Sequence, residues 1–371
     1  MKLSHITLLK CIKCDGEIAL SSIHPNKIEK EIIEFGILSC IDCGALYPII
    51  KGVGVFFKKE FIGHYLNEDE KKICNDLGLF IDKEKVTLNQ IQQKQLDAAS
   101  NWSYQWTKTY DFKKDDFINE GFLKEETFFE FIPIETEKIK NKTIIVWCGG
   151  KGREAFHLIK YNPEVLIVNE IGDEIYGIPQ LLGYPDNLML IRCDMQQNPI
   201  RLGSADYSIC DHALQHVADH KMGFKVITDV LKPNGIIIIN AYSYENNFLM
   251  VYIIEPLKVI FHKLSLKTLE RIAFIPAMIV YILIHLFYVP ANKILSKQTC
   301  NKIPLFDHMI FWSKVSFKWI DLACFDLIHA PISYHFKKEE FIKMARDNNA
   351  TIKTLNNTHG TTWTFIAHAQ R

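Results

Sequence analysis

The stretch IIVWCGGKGR, Ile144 to Arg153, is a run of apolar residues with high β propensity that ends in two glycines and a Lys-Gly-Arg segment. When a buried strand ends in glycines and a helix follows, the backbone can approach a ligand closely, and the unpaired amides at the helix N-terminus point toward that ligand. The stretch therefore predicts a strand, a glycine loop and a helix that together bind a nucleotide-like cofactor.

The sequence that follows alternates between strand and helix patterns. Strands are predicted near residues 143–148, 165–170, 187–193, 205–210 and 235–241. Helices are predicted between them, one of which ends at VLKPNG, and a further helix is predicted at 337–347. Two closing strands, TIKTL and TWTFIAHA, have no helix between them and are therefore expected to be antiparallel. This order predicts an α/β fold with a doubly wound, mainly parallel sheet.

The composition limits the classes of partner and the cellular compartment. The 371 residues contain 43 Lys and Arg against 43 Asp and Glu, so the chain has no global positive field and no nucleic-acid substrate is expected. The apolar run in MKLSHITLLKCIKC is too short for a secretory signal. We therefore expect a cytoplasmic protein, in which ten cysteines indicate metal binding or free thiols more than disulfides.

Two cysteine pairs with identical spacing lie near the N-terminus. Cys11 and Cys14 form one Cys-x-x-Cys pair, and Cys40 and Cys43 form the other. A glycine follows each pair closely, which suits the tight turns that direct two thiolates toward one tetrahedral ion. The pattern predicts a four-cysteine zinc ribbon over residues 1–56, with a structural Zn2+ because four cysteine ligands leave no open position for water. Four reduced structural cysteines without a metal are the alternative.

Two segments depart from the α/β pattern. Residues 57–140 are rich in charged and amide side chains and include the aromatic cluster NWSYQWTKTYDF at 101–112, which predicts a helical and aromatic connector. Residues 246–327 form an unusually apolar helical insertion, and its segment 271–290 is long enough to raise the question of a membrane. The segment is interpreted as a buried lid, as an interfacial helix in peripheral membrane contact, or as a membrane span. Either of the first two favours a partly apolar acceptor, such as a lipid-linked molecule.

Residues that can contact a cofactor follow the predicted strands. In an open α/β sheet the ligand binds beyond the carboxyl ends of the strands. Gly150, Gly152 and Ala155 follow the first strand in a Gly-x-Gly-x-x-Ala arrangement. Glu170 follows the second strand, where an acid can accept hydrogen bonds from both hydroxyls of a ribose. Asp194 follows the third strand, where a carboxylate can meet an adenine amino group.

These segments together carry a family resemblance. IIVWCGGKGR, IVNEIGDE, IRCDMQQNP, ADYSICDHALQHV, VLKPNGIIIIN and the closing strand pair resemble, over about residues 143–371, the class I S-adenosylmethionine-dependent methyltransferases of type 11. The N-terminal ribbon, with its LYPI-x-x-G tail, is similar to the zinc-ribbon domain of the methyltransferase-activator type. The resemblance implies a Rossmann-like, seven-stranded methyltransferase sheet over residues 141–371, with an N-terminal zinc ribbon and an inserted helical lid.

The resemblance also implies S-adenosylmethionine as the cofactor and assigns residues to its parts. The expected cofactor-binding residues are Cys148, Gly149, Gly150, Gly152, Glu170, Asp194 and Met195. Of these, Cys148, Gly150 and Gly152 would line the methionine part. Glu170 would hold the ribose, and Asp194 with Met195 would frame the adenine. The chain departs from the family in two positions, because Val146 replaces the usual acid and Cys148 the first loop glycine.

The segment after the fourth strand supplies candidates for proton transfer. A general base is needed when the methyl acceptor is a protonated hydroxyl or amine, and a neutral histidine or a carboxylate can serve at pH 7. Asp211, His212 and His216 are the candidate catalytic residues. The predicted function is methyl transfer to a small-molecule acceptor. The alternatives are a nicotinamide (NAD)-dependent oxidoreductase and a non-catalytic partner protein with a degenerate cofactor site.

Overall fold

The computed structural model describes residues 1–23, 28–29, 32–79, 86–109, 113–121 and 123–370. Residues 110–112 of the predicted aromatic connector lie outside the described residues. The strands are β1 Ile18–Ile23, β2 Ile28–Glu29, β3 Ile32–Ile33, β4 Gly36–Cys40, β5 Leu46–Ile50, β6 Val53–Val55, β7 Thr143–Trp147, β8 Val165–Glu170, β9 Leu188–Arg192, β10 Ala205–Asp211, β11 Leu231–Tyr242, β12 Ala350–Thr358 and β13 Thr362–Ala369.

The helices fall into three groups along the chain. The connector contains α1 Lys59–Tyr65, α2 Glu68–Asp76, α3 Gln90–Tyr104, α4 Asp116–Asn119 and α5 Glu125–Phe131. The sheet region contains α6 Arg153–Leu158, α7 Ile178–Leu182 and α8 His220–Asp229. The insertion and the C-terminal part contain α9 Glu255–Phe261, α10 Leu266–Leu283, α11 Val289–Ile294, α12 Lys297–Cys300, α13 Phe306–Trp312, α14 Phe317–His329 and α15 Lys338–Asp347.

Seven strands form the doubly wound part of the main sheet, in the order β9-β8-β7-β10-β11-β13-β12. The first five are parallel to one another, and β13 is antiparallel to both β11 and β12. All five residues of the central strand β7 are buried, as expected for a parallel strand covered on both faces. The predicted α/β architecture and the antiparallel closing pair are confirmed. Helix α8 ends just before the VLKPNG segment, and β11 already begins at Leu231 within it.

The sheet is larger than the seven strands expected, because the N-terminal ribbon continues it. Strands β1, β4, β5 and β6 extend the order beyond β9, so the described residues contain one eleven-stranded sheet. Strand β6 runs parallel to β9, with Val53 opposite Leu190, and the Phe56 amide donates to the Arg192 carbonyl at 2.9 Å. Long-range pairing therefore places the ribbon on the edge of the α/β sheet.

The insertion packs on the molecule through one side only. The helical stretch Leu266–Ile294 is 29 residues long and apolar enough to cross a membrane by length and composition, and only 17% of its most apolar window is buried. Its buried positions Leu269, Ala273, Ala277 and Ile284 form one stripe, and α10 packs along α14. The interpretation as a fully buried lid is therefore wrong for the outer side of the stretch, which is exposed.

Candidate active site

Two adjoining cavities lie at the carboxyl ends of the parallel strands. The glycine-loop cavity has a volume of about 210 Å³ and is bounded by the loop after β7, the ends of β8 and β10, and α3. The insertion cavity has a volume of about 250 Å³ and is bounded largely by residues of the insertion. Both cavities are lined by Trp106, His212, Tyr242, Trp319 and Asp326. The two cavities are therefore neighbours that share one wall.

The backbone of the glycine loop explains its composition. Gly150 has φ +50° and Gly152 has φ +91°, a conformation that glycine adopts without steric cost. Cys148 has φ +53°, so a non-glycine residue accepts the left-handed conformation where the related family has glycine. A Cβ on Gly149 would lie 2.6 Å from a methyl group of Val168, so the loop packs directly on β8. Three of these four residues line the cavity, and Gly152 does not.

Glu170 lies at the end of β8 on the cavity wall and is buried. Its carboxylate accepts hydrogen bonds from the amides of Gly150 at 2.8 Å, Ile171 at 2.7 Å and Gly172 at 3.2 Å. Burial raises the pKa of Glu170, and the three amides oppose that rise. The predicted ribose-binding acid is therefore at the predicted place, where it also holds the glycine loop in position.

The third strand end differs from the sequence prediction. Asp194 Oδ1 accepts from the Gln196 amide at 2.9 Å and so caps the short turn that follows β9. Met195 is buried, with its sulfur 3.9 Å from the Cys148 sulfur. Neither Asp194 nor Met195 lines the glycine-loop cavity. The assignment of these two residues to an adenine wall is thus not reproduced, because the carboxylate turns back onto its own turn.

Asp211 is held in a saturated ion-pair network. Its carboxylate pairs with the Arg153 guanidinium, accepts from the Asn240 amide at 2.7 Å, and lies 2.9 Å from His212 Nδ1. Burial alone would raise the pKa of Asp211, but the charges of His212 and Arg153 and the hydrogen bonds hold it well below its usual range. Asp211 therefore stays ionised and orients its neighbours, which makes it a positioning residue instead of a proton acceptor.

His212 is the candidate base that contacts both cavities. Its Nδ1 faces the ionised Asp211, which can only accept, so Nδ1 carries a proton, and in the neutral ring Nε2 is the acceptor. Nε2 lies 3.3 Å from the Thr362 hydroxyl. The backbone of His212 is left-handed, with φ +49°, and its amide donates to the Asn240 carbonyl at 2.9 Å. These contacts direct Nε2 toward the wall that the two cavities share.

Two residues that line the glycine-loop cavity, His216 and Trp102, each have a buried ring nitrogen without a hydrogen-bond partner among the described residues. His216 Nδ1 donates to the Ile332 carbonyl at 2.6 Å, so its Nε2 is an acceptor, and burial lowers the pKa of His216 to about 3. The Trp102 ring lies 4.7 Å from it, and the indole N–H of Trp102 is a donor. Among the described residues neither of these atoms has a hydrogen-bond partner, so the fold leaves both polar groups unsatisfied.

Three further acidic or aromatic residues of the site were not predicted from the sequence. Glu174 lines the glycine-loop cavity, and burial together with the Glu170 charge raises its pKa well above the usual range. Tyr242 is the last residue of β11. It could have been found from the sequence, because ligands bind beyond the carboxyl ends of the parallel strands. Asp326 comes from α14, more than a hundred residues after the glycine loop, so only tertiary packing brings it to the shared wall.

The Asp326 carboxyl gives the protein a specific pH dependence. Burial raises its pKa from 3.8 to about 8, against the effect of the nearby Gln105 amide. The folded protein thus keeps a proton that the unfolded chain releases, so the carboxyl lowers stability progressively as pH rises from about 4 to about 8. Asparagine has no proton to release. We expect Asp326→Asn to be more stable than the wild type at pH 9 by a few kcal/mol, with about 5 kcal/mol as the upper bound that the shift sets, and equally stable near pH 4.

Thermal unfolding of both proteins between pH 4 and 9 measures this difference. The exposed Asp347→Asn serves as the matched control and should show no pH-dependent difference from the wild type. A constant difference between Asp326→Asn and the wild type across the whole range would contradict the shifted pKa.

The four predicted zinc ligands converge at the far end of the sheet. The sulfurs of Cys11, Cys14, Cys40 and Cys43 all lie within 4.8 Å of one another, with 3.6 Å between the first and last and 3.5 Å between the middle two. Four sulfurs at about 2.3 Å from a tetrahedral zinc would be about 3.8 Å apart, so the cluster fits that ion. The left-handed Gly44, with φ +69°, closes the second turn.

A comparison with protein families matches residues 148–239 to the family described as a methyltransferase domain. Residues 148–239 are therefore similar to a methyltransferase domain. The matched part of the methyltransferase domain runs from the glycine loop through Glu170 and His212 into β11, and both the ribbon and the insertion lie outside it. No curated protein matches the chain significantly.

Solved structures resemble the chain at low sequence identity. One comes from the complex of the Haloferax volcanii Trm112 methyltransferase activator with a methyltransferase (11% identity, 73% of this chain and 98% of that chain, TM-score 0.43). Another is an S-adenosylmethionine-dependent methyltransferase from Listeria monocytogenes (10% identity, 66% and 98%, TM-score 0.40). A third is an S-adenosylmethionine-dependent methyltransferase from Mesorhizobium loti (8% identity, 66% of this chain and 97% of that chain, TM-score 0.40).

Proposed function

We propose that the protein transfers a methyl group from S-adenosylmethionine to a small, partly apolar acceptor. The position of His212 carries this proposal, because its ring lies on the wall between the glycine-loop cavity and the insertion cavity. Two reactants in adjoining cavities meet there, and a base at that place can accept a proton from the acceptor as the methyl group moves.

The glycine-loop cavity fits the cofactor by its donors and acceptors. Glu170 at the end of β8 and Glu174 in the turn that follows it supply carboxyl groups to the cavity wall, and Trp102 and His216 line the same cavity. When bound, S-adenosylmethionine supplies a methyl group that is already activated on a sulfonium. The chain therefore has to position the cofactor and the acceptor, to exclude water and to move one proton.

The insertion cavity fits an acceptor with an apolar body and few polar groups. Its wall includes Phe131, Leu249, Val280, Met309, Phe311, His308, His335 and His359. Burial lowers the pKa of His308 and of His335 to about 4, so both rings are neutral at pH 7. A wall of aromatic, aliphatic and neutral imidazole groups favours a neutral, partly apolar molecule over a phosphorylated one.

The reaction assigns one role to each group on the shared wall. His212 Nε2 accepts the proton of a hydroxyl or amine acceptor. Asp211 fixes the tautomer and stabilises the imidazolium that forms, in the manner of a carboxylate and histidine pair. Tyr242 and Trp106 border both cavities and limit the access of water.

Calorimetric titration with S-adenosylmethionine and, separately, with NAD tests the cofactor. We expect heat with the first ligand alone, and Glu170→Ala should lower the affinity about 10- to 100-fold, since it removes a charged hydrogen-bond acceptor and the support of the glycine loop. The matched control is Glu164→Ala, an exposed acid just before the other end of β8, which should bind like the wild type. Heat with NAD alone would indicate an oxidoreductase, and no heat with either ligand would indicate a non-catalytic partner protein.

A further inference from the structure

The outer side of the insertion exposes large apolar side chains over three helices. We define the outer face by Val259, Ile260, Ile275, Ile279, Leu286 and Ile294, whose side chains are between 54% and 80% exposed. The segment from 272 to 292 contains no Asp, Glu, Lys or Arg. Soluble proteins rarely expose so many large apolar side chains within one segment unless the segment binds something.

The packing of α10 determines how such a face can meet a lipid bilayer. The inner stripe of the helix, from Leu269 to Ile284, lies against α14 along its length. Helix α14 carries Asp326 on the shared wall of the cavities, so it belongs to the active-site region. The long helix cannot cross a bilayer without drawing α14 into the hydrocarbon, and burying the carboxylates of α14 there would be costly. An orientation parallel to the membrane surface keeps both helices in place.

The charges around the outer face complement an anionic surface. Between residues 262 and 302 the chain carries six Lys or Arg residues and one acid, Glu270, although the whole chain has no net charge. The basic residues are Lys263, Lys267, Arg271, Lys293, Lys297 and Lys302, and all six are exposed. They lie before and after the uncharged segment, where lysines and arginines can reach lipid headgroups while the apolar residues enter the acyl region.

The insertion cavity is lined in part by the long helix that carries the outer face. Leu249 lines the cavity and is also 40% exposed, and Val280 lines it from the same helix turn that carries the exposed Ile279. We propose that the outer face lies in the surface of an anionic phospholipid bilayer and that the insertion cavity receives its acceptor from that bilayer. The second half of this proposal rests on the proposed methyl transfer, and the first half does not.

Flotation of the full-length protein with vesicles tests the membrane contact. We expect flotation with vesicles of phosphatidylcholine and phosphatidylglycerol, and weaker flotation with phosphatidylcholine alone or at high salt. The triple variant Ile275→Glu, Ile279→Glu, Leu286→Glu should reduce the bound fraction at least about 10-fold, because charged groups replace the apolar contact. The matched control replaces Ile91, Ile118 and Leu202 with glutamate. These three side chains are also exposed but lie outside the insertion, so the control should float like the wild type.

Two further measurements separate the possible failures. Circular dichroism and S-adenosylmethionine calorimetry on every variant show whether the fold and the cofactor site are intact, so loss of flotation with normal heat is specific to the outer face. A wild type that stays unbound with both kinds of vesicle overturns the proposal, and so does a triple variant that floats normally. If the wild type stays unbound and forms a dimer that the triple variant cannot form, the outer face binds a second copy and the membrane contact is excluded.

Discussion

Replacing His212 with glutamine is expected to lower the rate of methyl transfer about 10²- to 10⁴-fold, the usual contribution of a positioned general base. Glutamine preserves approximate size and polarity at the shared wall but cannot accept and release a proton at neutral pH. S-adenosylmethionine affinity should change little, because the cofactor contacts come from other residues of the glycine-loop cavity. The measurement is transfer of a labelled methyl group into a cellular lipid extract, with calorimetry for the cofactor.

The matched control for this variant is His220→Gln. His220 follows the same segment, stacks on Tyr334 at 4.3 Å and lines neither cavity, so its replacement should leave the rate unchanged. Normal activity of His212→Gln would show that the acceptor does not require deprotonation by this residue.

We propose that the four-cysteine cluster holds zinc, so loss of the metal is expected to unfold the ribbon. Structural zinc in small cysteine sites contributes about 10–16 kcal/mol of binding free energy that is coupled to folding. Replacing Cys40 with serine, or chelating the zinc, should therefore remove the metal and lower the midpoint of thermal unfolding by about 10 °C or more, as expected for a loss of several kcal/mol. Zinc content by atomic absorption, followed by calorimetric unfolding, measures both effects.

Cys74→Ala provides the comparison for the zinc variants. Cys74 is a buried free cysteine outside the cluster, so its replacement should cost about 1 kcal/mol of core packing while the zinc content stays at one ion per chain. Purified wild-type protein that holds no zinc yet unfolds at the same temperature as Cys40→Ser would show that the four thiols are structural without a metal.

The sequence allowed the core of the fold to be predicted because the decisive signals were local. The apolar run that became β7 and the glycines after it define a strand and a loop by themselves, and the strand-end rule then located Glu170 and His212. Asp194 also lies directly after a strand, as the sequence predicted. Its carboxylate, however, turns away from the cavity because it accepts a hydrogen bond from the nearby Gln196 amide. Position along a strand was thus predictable, and side-chain direction was not.

Long-range contacts account for the features that the sequence did not reveal. The pairing of Val53 with Leu190 joins segments more than a hundred residues apart, and no local pattern in either segment specifies it. The same holds for Asp326, whose helix reaches the shared wall only after the insertion has folded onto the sheet. The apolar character of the insertion was evident, but the side that is buried depends on where α14 lies.

The pairing of β6 with β9 also protects an edge of the sheet from pairing with other molecules. Without β6, β9 would be an exposed edge strand with unpaired backbone N–H and C=O groups. Exposed edge strands readily pair with strands of other molecules. Fusion within one polypeptide supplies the protecting strand in a one-to-one ratio and at high effective concentration.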